Sequence, residues 1–229
     1  MAQKKVNAVI HSQEKLAEGI YSMWLDAPEM AKAAVPGQFI AVYTNDQSKL
    51  LPRPISICEA DKEIGILRIV YRIAGAGTKE FSAYKEGDTL EIMGPLGNGF
   101  PLKKKKAFLI GGGIGIPPML ELAKNLDCEK TAVIGYRDKE TFLADELRKY
   151  ADVVIATEDG SVGTKGNVID AIRAEKLTAD IIYACGPTPK LKAFKTYAME
   201  NGFECYISLE EKMACGIGAC LGCVCHSKD

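Results

Sequence analysis

The apolar pattern of this 229-residue chain changes period near residue 103, so two architectures must share one polypeptide. Before that point, apolar and β-branched runs at 6–10, 20–25, 39–43, 55–59, 64–73 and 89–93 are separated by turn residues such as Pro36-Gly37 and Glu86-Gly87-Asp88. Six strands at this spacing predict a small antiparallel β-barrel, with one helix over 79–84. Beyond the lysine run 103–106, strands alternate with helices: 107–110 then 117–125, 131–136 then 143–150, 153–157 then 167–173, 181–184 then 189–201, and finally 205–208. This alternation predicts a doubly wound parallel α/β sheet with helices on both faces. The fold class is therefore α+β multidomain, divided as 1–102, 103–208 and a tail at 209–229. The lysine run reads as a solvated connector.

Composition excludes several functions. With 47% hydrophobic residues and a net charge of −1 the chain has an ordinary globular balance and no nucleic-acid footprint. No apolar stretch follows the first lysines, and the longest uncharged run, 107–120, is broken by four glycines and two prolines, which predicts neither secretion nor a membrane span. A cytoplasmic location follows, where eight cysteines stay reduced and available to metal.

Cys215, Cys220 and Cys223 have the C-x4-C-x2-C spacing that holds a 2Fe-2S cluster in plant-type ferredoxins. Gly216, Gly218 and Gly222 suit a backbone that wraps the inorganic sulfides and aims N–H groups at them. Zinc, the competing reading, prefers paired C-x2-C knuckles, and only Cys220 and Cys223 make one. The fourth ligand is open: the chain ends early, which is the favoured expectation, or Cys225 substitutes, or a distant cysteine such as Cys205 folds in. A Rieske-type site using His226 would need a second histidine, and His11 and His226 read as surface residues.

Two glycine-rich turns suit a nucleotide. A buried-type strand runs into Gly111-Gly112-Gly113-Ile114-Gly115-Ile116-Pro117-Pro118, where a diphosphate can approach backbone amides at a helix start, although isoleucine at 116 departs from G-x-G-x-x-G. Cys185-Gly186-Pro187 follows another apolar strand and belongs at the same edge of the sheet, with Cys185 a candidate against a nicotinamide ring. In the first half, Arg53-Pro54-Ile55-Ser56 offers a guanidinium for phosphate and a hydroxyl for a flavin nitrogen, in extended geometry set by Pro52 and Pro54. Val70, Tyr71 and Arg72 close a strand, with Tyr71 a candidate aromatic wall, and Gly75-Ala76-Gly77-Thr78 opens a helix suited to a diphosphate. Asp138, and carboxylates at Glu158 and Asp159, favour NAD over NADP, while Arg137 and Lys139 oppose that choice.

The order of these parts resembles the ferredoxin–NADP reductase superfamily. The closing run Glu210-Glu211-Lys212-Met213-Ala214-Cys215 through Cys223 narrows the resemblance, over about residues 6–225, to the electron transfer subunits of type B dihydroorotate dehydrogenases. The resemblance implies FAD held by Arg53, Pro54, Ile55, Ser56, Val70, Tyr71, Arg72, Gly77 and Thr78, and a cluster on Cys215, Cys220 and Cys223. It implies an FMN-containing catalytic subunit as partner, in a heterotetramer of two plus two, with electrons passing from dihydroorotate through FMN, cluster and FAD to NAD. It assigns no acid–base residue. Alternatives are the small flavin subunit of an NADPH:ferredoxin oxidoreductase or a sulfide dehydrogenase, and, outside enzymes, an electron-relay or zinc-stabilised binding module.

Overall fold

The computed structural model describes residues 4–46, 48–209, 211 and 213–224, apart from the side chains of 188–190. The chain forms two compact units. The first contains β1 (Lys4–Ala17), β2 (Ile20–Asp26), α1 (Pro28–Ala33), β3 (Phe39–Val42), β4 (Arg53–Asp61), β5 (Ile66–Arg72), α2 (Ala76–Phe81) and β6 (Thr89–Leu96). Its strands close an antiparallel barrel in the order β1-β2-β5-β4-β3-β6. The period-2 pattern explains the interior. Ala8 and Ile10, Met23 and Leu25, Ile40 and Val42, Leu67 and Ile69, and Leu90 and Ile92 all point into one core. Each of the valine, leucine, isoleucine and methionine side chains among them contributes about 1.5–3 kcal/mol by leaving water.

Two features of this unit depart from the sequence reading. Helix α1 was not anticipated: six residues with no side-chain cap at Ala27 leave little signal, yet Met30 and Ala31 join the barrel core. Helix α2 starts at Ala76 rather than 79. The cause is Thr78, whose Oγ1 accepts the N–H groups of Ala74 at 2.8 Å and Gly75 at 3.2 Å and fixes the first turn.

The second unit contains β7 (Ala107–Gly112), a 3-10 turn over Gly113–Gly115, α3 (Pro117–Asn125), β8 (Lys130–Tyr136), α4 (Ala144–Leu147), β9 (Asp152–Thr157), β10 (Thr164–Lys165), α5 (Val168–Ala174), β11 (Ile181–Cys185), α6 (Thr188–Glu200) and β12 (Glu204–Ser208). All six strands are parallel, in the order β10-β9-β8-β7-β11-β12. Strands β7 and β11 are buried along their whole length, as the continuous apolar runs predict for a sheet covered on both faces. Helices α5 and α6 pack Ala171, Ile172, Leu191, Phe194 and Ala198 against Phe108, Ile110, Val133, Ile182 and Ala184. Helix α5 starts where predicted because Asn167 Oδ1 accepts the N–H of Ile169 at 2.8 Å while Asp170 Oδ2 accepts that of Asn167 at 2.8 Å.

The lysine run falls inside the second unit, which takes in residues 99–210, and its side chains pair within that unit: Lys104, Lys105 and Lys106 with Asp127, Glu204 and Glu129 at 2.8, 2.5 and 2.7 Å. Among the described residues no helix is long and apolar enough to cross a membrane. The described residues after 210 cluster with the barrel rather than standing apart.

Candidate functional site

The barrel opens between β4 and β5. Pairing between β4 and β5 runs from Asp61–Ile66 to Ile57–Ile69 and stops there. Residues 53–56 continue along β3 only, with Arg53 opposite Val42 and Ser56 opposite Phe39. Residues 70–72 continue along β2 only, with Val70 opposite Ser22 and Arg72 opposite Ile20. The two segments picked out from sequence therefore face each other across a splay, each with one strand edge not used by the barrel. Backbone polar groups at such an edge need partners, and a ligand can supply them.

Helix α2 stands beside this splay. A Cβ added at Gly77 would lie 2.3 Å from Nε and 2.6 Å from Cζ of Arg53, so the guanidinium sits directly on the backbone of the first helical turn. The first-turn amides of Ala76, Gly77 and Thr78 have no partner within a helix by position. Together with Arg53 they form a donor set for two phosphates. The Thr78 hydroxyl is already engaged: it accepts from Ala74 and Gly75 and also reaches the Gly75 carbonyl at 3.2 Å. Thr78 thus shapes the turn and offers its amide rather than its side chain. Ser56 faces outward, half-buried, and Pro54 is exposed, whereas Ile55 points into the core.

Tyr71 corrects the sequence reading. Its ring lies inside the barrel, stacked on Tyr21 at 5.9 Å and edge-on to Phe81 at 6.0 Å, and its hydroxyl donates to Gln13 Oε1 at 2.8 Å. Burial pushes its phenol well above the usual range. A side chain so placed cannot be an aromatic wall for a ligand; only the backbone of residue 71 borders the splay.

In the α/β unit, β7 and β11 are neighbours although three strands separate them in sequence, so the sheet order reverses between them. Ligands of open α/β sheets bind beyond the carboxyl ends of strands at such a switch point. The two loops there touch. A Cβ at Gly115 would fall 2.3 Å from the carbonyl oxygen of Cys185 and 2.7 Å from Cα of Gly186. At Gly111 it would meet Cα of Ile116 at 2.9 Å, and the Ile116 side chain is buried against this turn. Isoleucine at 116, odd for a dinucleotide fingerprint, is thus a packing residue. Because α3 opens on Pro117 and Pro118, which carry no N–H, amide donors must come from the preceding 3-10 turn. Cys185 ends β11, buried.

The ends of β8 and β9 are tied beyond the ladder: Glu158 N–H donates to Tyr136 O at 3.2 Å and Asp159 N–H to Arg137 O at 3.3 Å. Arg137, Asp138, Glu158 and Asp159 therefore share one sheet edge. Asp138 Oδ1 accepts the Glu140 N–H at 2.9 Å, and Asp159 is held below the usual carboxylate range by Ser161.

The cysteine loop is built around one sulfur. Positive φ at Gly216 (71°), Gly218 (79°) and Leu221 (57°) coils the backbone, and the Cys220 N–H donates to Cys215 Sγ at 3.4 Å. That bond, with amides of Ile217 and Ala219, pulls the Cys215 thiol down to about 6. Amides gathered on a thiolate suit an anionic ligand of an iron–sulfur cluster. A Cβ at Gly216 would meet Leu96 at 3.3 Å, which seats the loop on the outer wall of the barrel. Cys220 is exposed and Cys223 half-exposed, and among the described residues no three acidic, histidine or cysteine side chains converge on a metal position. Cys225 and His226 lie outside the described residues. Cys205, the distant candidate, packs against the α/β core, where burial pushes its thiol up to about 11. His11 is exposed, with Nδ1 3.6 Å from Asp26.

Comparison with known proteins agrees with this geometry. Residues 7–100 match the oxidoreductase FAD-binding domain family, and residues 210–229 match the iron–sulfur cluster binding domain of dihydroorotate dehydrogenase B. A relative from Geobacillus sp. (strain WCH70), named dihydroorotate dehydrogenase B (NAD(+)), electron transfer subunit, is 42% identical over 99% of this chain and 90% of its own length. A relative of the same name from Streptococcus mutans is 45% identical over 98% of this chain and 89% of its own. Among solved structures, a chain of the NADH-dependent reduced ferredoxin-NADP oxidoreductase superposes with a TM-score of 0.87 at 32% identity, covering 94% of this chain and 80% of its own. A ferredoxin reductase of carbazole 1,9a-dioxygenase, at 20% identity over 91% of this chain and 70% of its own, shares the fold with a TM-score of 0.76. With an FAD-binding barrel, a parallel α/β sheet and a terminal iron–sulfur binding segment in that order, the chain belongs to the family of electron transfer subunits of dihydroorotate dehydrogenase B (NAD(+)).

Proposed function

We propose that this chain carries electrons taken from dihydroorotate by an FMN-containing catalytic subunit to NAD, in a cytoplasmic heterotetramer of two copies of each subunit. The observation that supports it most is the splay between β4 and β5, which leaves residues 53–56 and 70–72 facing each other beside the first turn of α2. When bound, FAD and the 2Fe-2S cluster supply exchange of single electrons on one side and of hydride with nicotinamide on the other. The protein's task is to hold and orient. Arg53 and the amides of Ala76, Gly77 and Thr78 bind the diphosphate of FAD. Ser56 directs its hydroxyl to the flavin ring, and the backbone edges of Pro54, Ile55, Val70, Tyr71 and Arg72 border it.

Gly111, Gly112, Gly113 and Gly115 bring bare backbone to the NAD diphosphate, with Cys185, Gly186 and Pro187 lining the nicotinamide end. Asp138, Glu158 and Asp159 disfavour a 2′-phosphate and select NAD. Cys215, Cys220 and Cys223 ligate the cluster, and the amides around Cys215 stabilise its thiolate. No side chain is required as a general acid or base.

The 32% identity to the ferredoxin-NADP oxidoreductase chain supports one other reading, the small flavin subunit of such an enzyme. One experiment separates them. The purified chain, supplied with FAD, iron and sulfide, is mixed with an FMN-bearing dihydroorotate-oxidising subunit, and nucleotide reduction is followed at 340 nm. Dihydroorotate-dependent reduction of NAD in preference to NADP is expected; NADP preference with no response to dihydroorotate would refute the proposal.

A further inference from the structure

Gln13 is a polar side chain that the fold turns toward an apolar interior. On β1 the register slips between Ile10, which pairs with Leu25, and Ser12, which pairs with Trp24, so β1 carries one extra residue there. Such a bulge re-aims the side chains that follow it. Without the slip Ser12 would follow Ile10 inward and Gln13 would face outward; with it Gln13 lies opposite Met23, a residue of the barrel core. Each polar atom of the side chain there has a partner. Nε2 donates to the carbonyls of Tyr84 at 2.8 Å and Phe81 at 3.2 Å, and Oε1 accepts the Tyr71 hydroxyl at 2.8 Å. The two carbonyls close the C-terminal end of α2, where the last helical turn offers them no partner of its own. Tyr71 belongs to β5, whose residues 70–72 border the splay. One amide group therefore joins the end of α2 to two barrel strands.

We propose that Gln13 is a positioning residue for FAD: by fastening the C-terminal end of α2 to β1 and β5, it aims the first-turn amides of that helix at the diphosphate. The inference rests on the reading of Arg53 and α2 as the diphosphate site. Helix α2 has only six residues, too few to hold a direction by itself. Thr78 shapes its first turn from within the segment and ties it to no strand. Phe81 roots the helix in the core, but apolar packing is non-directional and resists separation more than rotation. Hydrogen bonds are directional, and two of them from one planar amide fix an orientation. Gln13 stands about 9 Å from the first turn, six residues at about 1.5 Å each, so it acts through the helix and not by touching phosphate. Over that length a tilt of about 10° moves the first-turn amides by about 1.5 Å, enough to break their hydrogen bonds to a ligand.

The test exchanges the amide for groups of similar size and follows FAD binding to the flavin-free protein by flavin fluorescence. In Gln13→Glu the carboxylate still accepts from Tyr71 but donates to neither carbonyl; once protonated it regains one donor, toward the Tyr84 carbonyl. This variant is expected to bind FAD about tenfold more weakly than the native protein at about pH 8, recovering to within about threefold at about pH 5. Glu14, Lys15, Tyr21, Tyr84, Lys85 and Glu86 share a cavity with Gln13, and Tyr71 and Tyr84 keep their protons throughout because burial pushes both phenols up. All are common to variant and native protein, so the ratio of the two affinities at each pH isolates residue 13. Gln13→Met, which sets no charge beside the carbonyls, is expected to show the same loss at both pH values. Thermal unfolding of each flavin-free variant gives the folded fraction. A merely structural role would lower the melting temperature yet leave the affinity of the folded protein near native. That result in Gln13→Met, or a Gln13→Glu ratio that does not change with pH, overturns the inference. Arg53→Met is measured alongside: it must weaken FAD binding, and if it does not, the reading of the diphosphate site fails independently of Gln13.

Discussion

Replacing Gly77 by alanine separates folding from cofactor binding. The added Cβ would stand 2.3 Å from Nε, 2.6 Å from Cζ and 2.9 Å from Nη2 of Arg53. Carbon–nitrogen contacts settle near about 3.5 Å, so the guanidinium must move by about 1.2 Å, the difference between 3.5 and 2.3. Only a flexible side chain has to yield, and Gly to Ala inside a helix gains up to about 1 kcal/mol. Flavin-free protein should therefore melt at an unchanged or slightly higher temperature. The displaced guanidinium, however, no longer faces the diphosphate. Losing charge-assisted hydrogen bonds costs about 1.5–3 kcal/mol, or roughly 10- to 150-fold in the FAD dissociation constant. Fluorescence titration with FAD, paired with thermal unfolding of the apoprotein, measures both quantities. Arg53→Met should reproduce the loss, and the double variant Gly77→Ala/Arg53→Met should be no worse than either single change. An FAD affinity within threefold of the native protein's, or additive losses in the double variant, would refute the argument.

Gly115→Ala drives a Cβ to 2.3 Å from the Cys185 carbonyl, backbone against backbone; stability should fall by about 1–3 kcal/mol, and the KM for NADH in flavin reduction should rise with FAD retained, an unchanged KM counting against the switch-point site. Arg68 is buried on the barrel wall, bonded to Ser22 at 2.9 Å with Glu59 at 3.5 Å; Arg68→Met should lose about 1–3 kcal/mol in urea unfolding without altering FAD affinity. Burial opposes the charge on Glu80, but bonds from Lys49, Tyr84 and the Asn45 amide outweigh it and lower its carboxyl from the ordinary 4.5. Its stabilisation is therefore present above that ordinary value and is lost as pH falls through the lowered folded value, and Glu80→Gln should flatten this limb of the pH–stability profile. In cluster-free protein, alkylation of Cys215 followed by peptide mass spectrometry should titrate at about 6, well under the about 8.5 of a free thiol; a midpoint near the free-thiol value would mean that its amides do not hold the sulfur.

The sequence reading reached both architectures because period-2 and period-3.6 patterns are local. Runs such as Leu90 and Ile92 on β6, or 107–112 on β7, needed no knowledge of their neighbours. It missed α1, whose six residues are helical because Met30 and Ala31 close the barrel core rather than through any capping signal. It placed Tyr71 on a ligand surface, since alternation gives a residue's parity on a strand but not which side is interior. Glu80 passed unnoticed: its partners at 45, 46 and 49 lie more than thirty residues away, and no spacing rule connects them.

What the chain's letters determine alone is the order of the parts and the chemical types available: arginine and serine on an extended run, glycines at strand ends, and cysteines at C-x4-C-x2-C. Tertiary structure alone decides where β4 and β5 part company, that Gly115 meets Cys185 across the switch point, and that Arg53 rests on Gly77. The physical reason is range. Periodicity and turn chemistry act over a few residues, whereas a binding site is made where strands distant in sequence stop satisfying one another's backbone and leave those groups for a ligand.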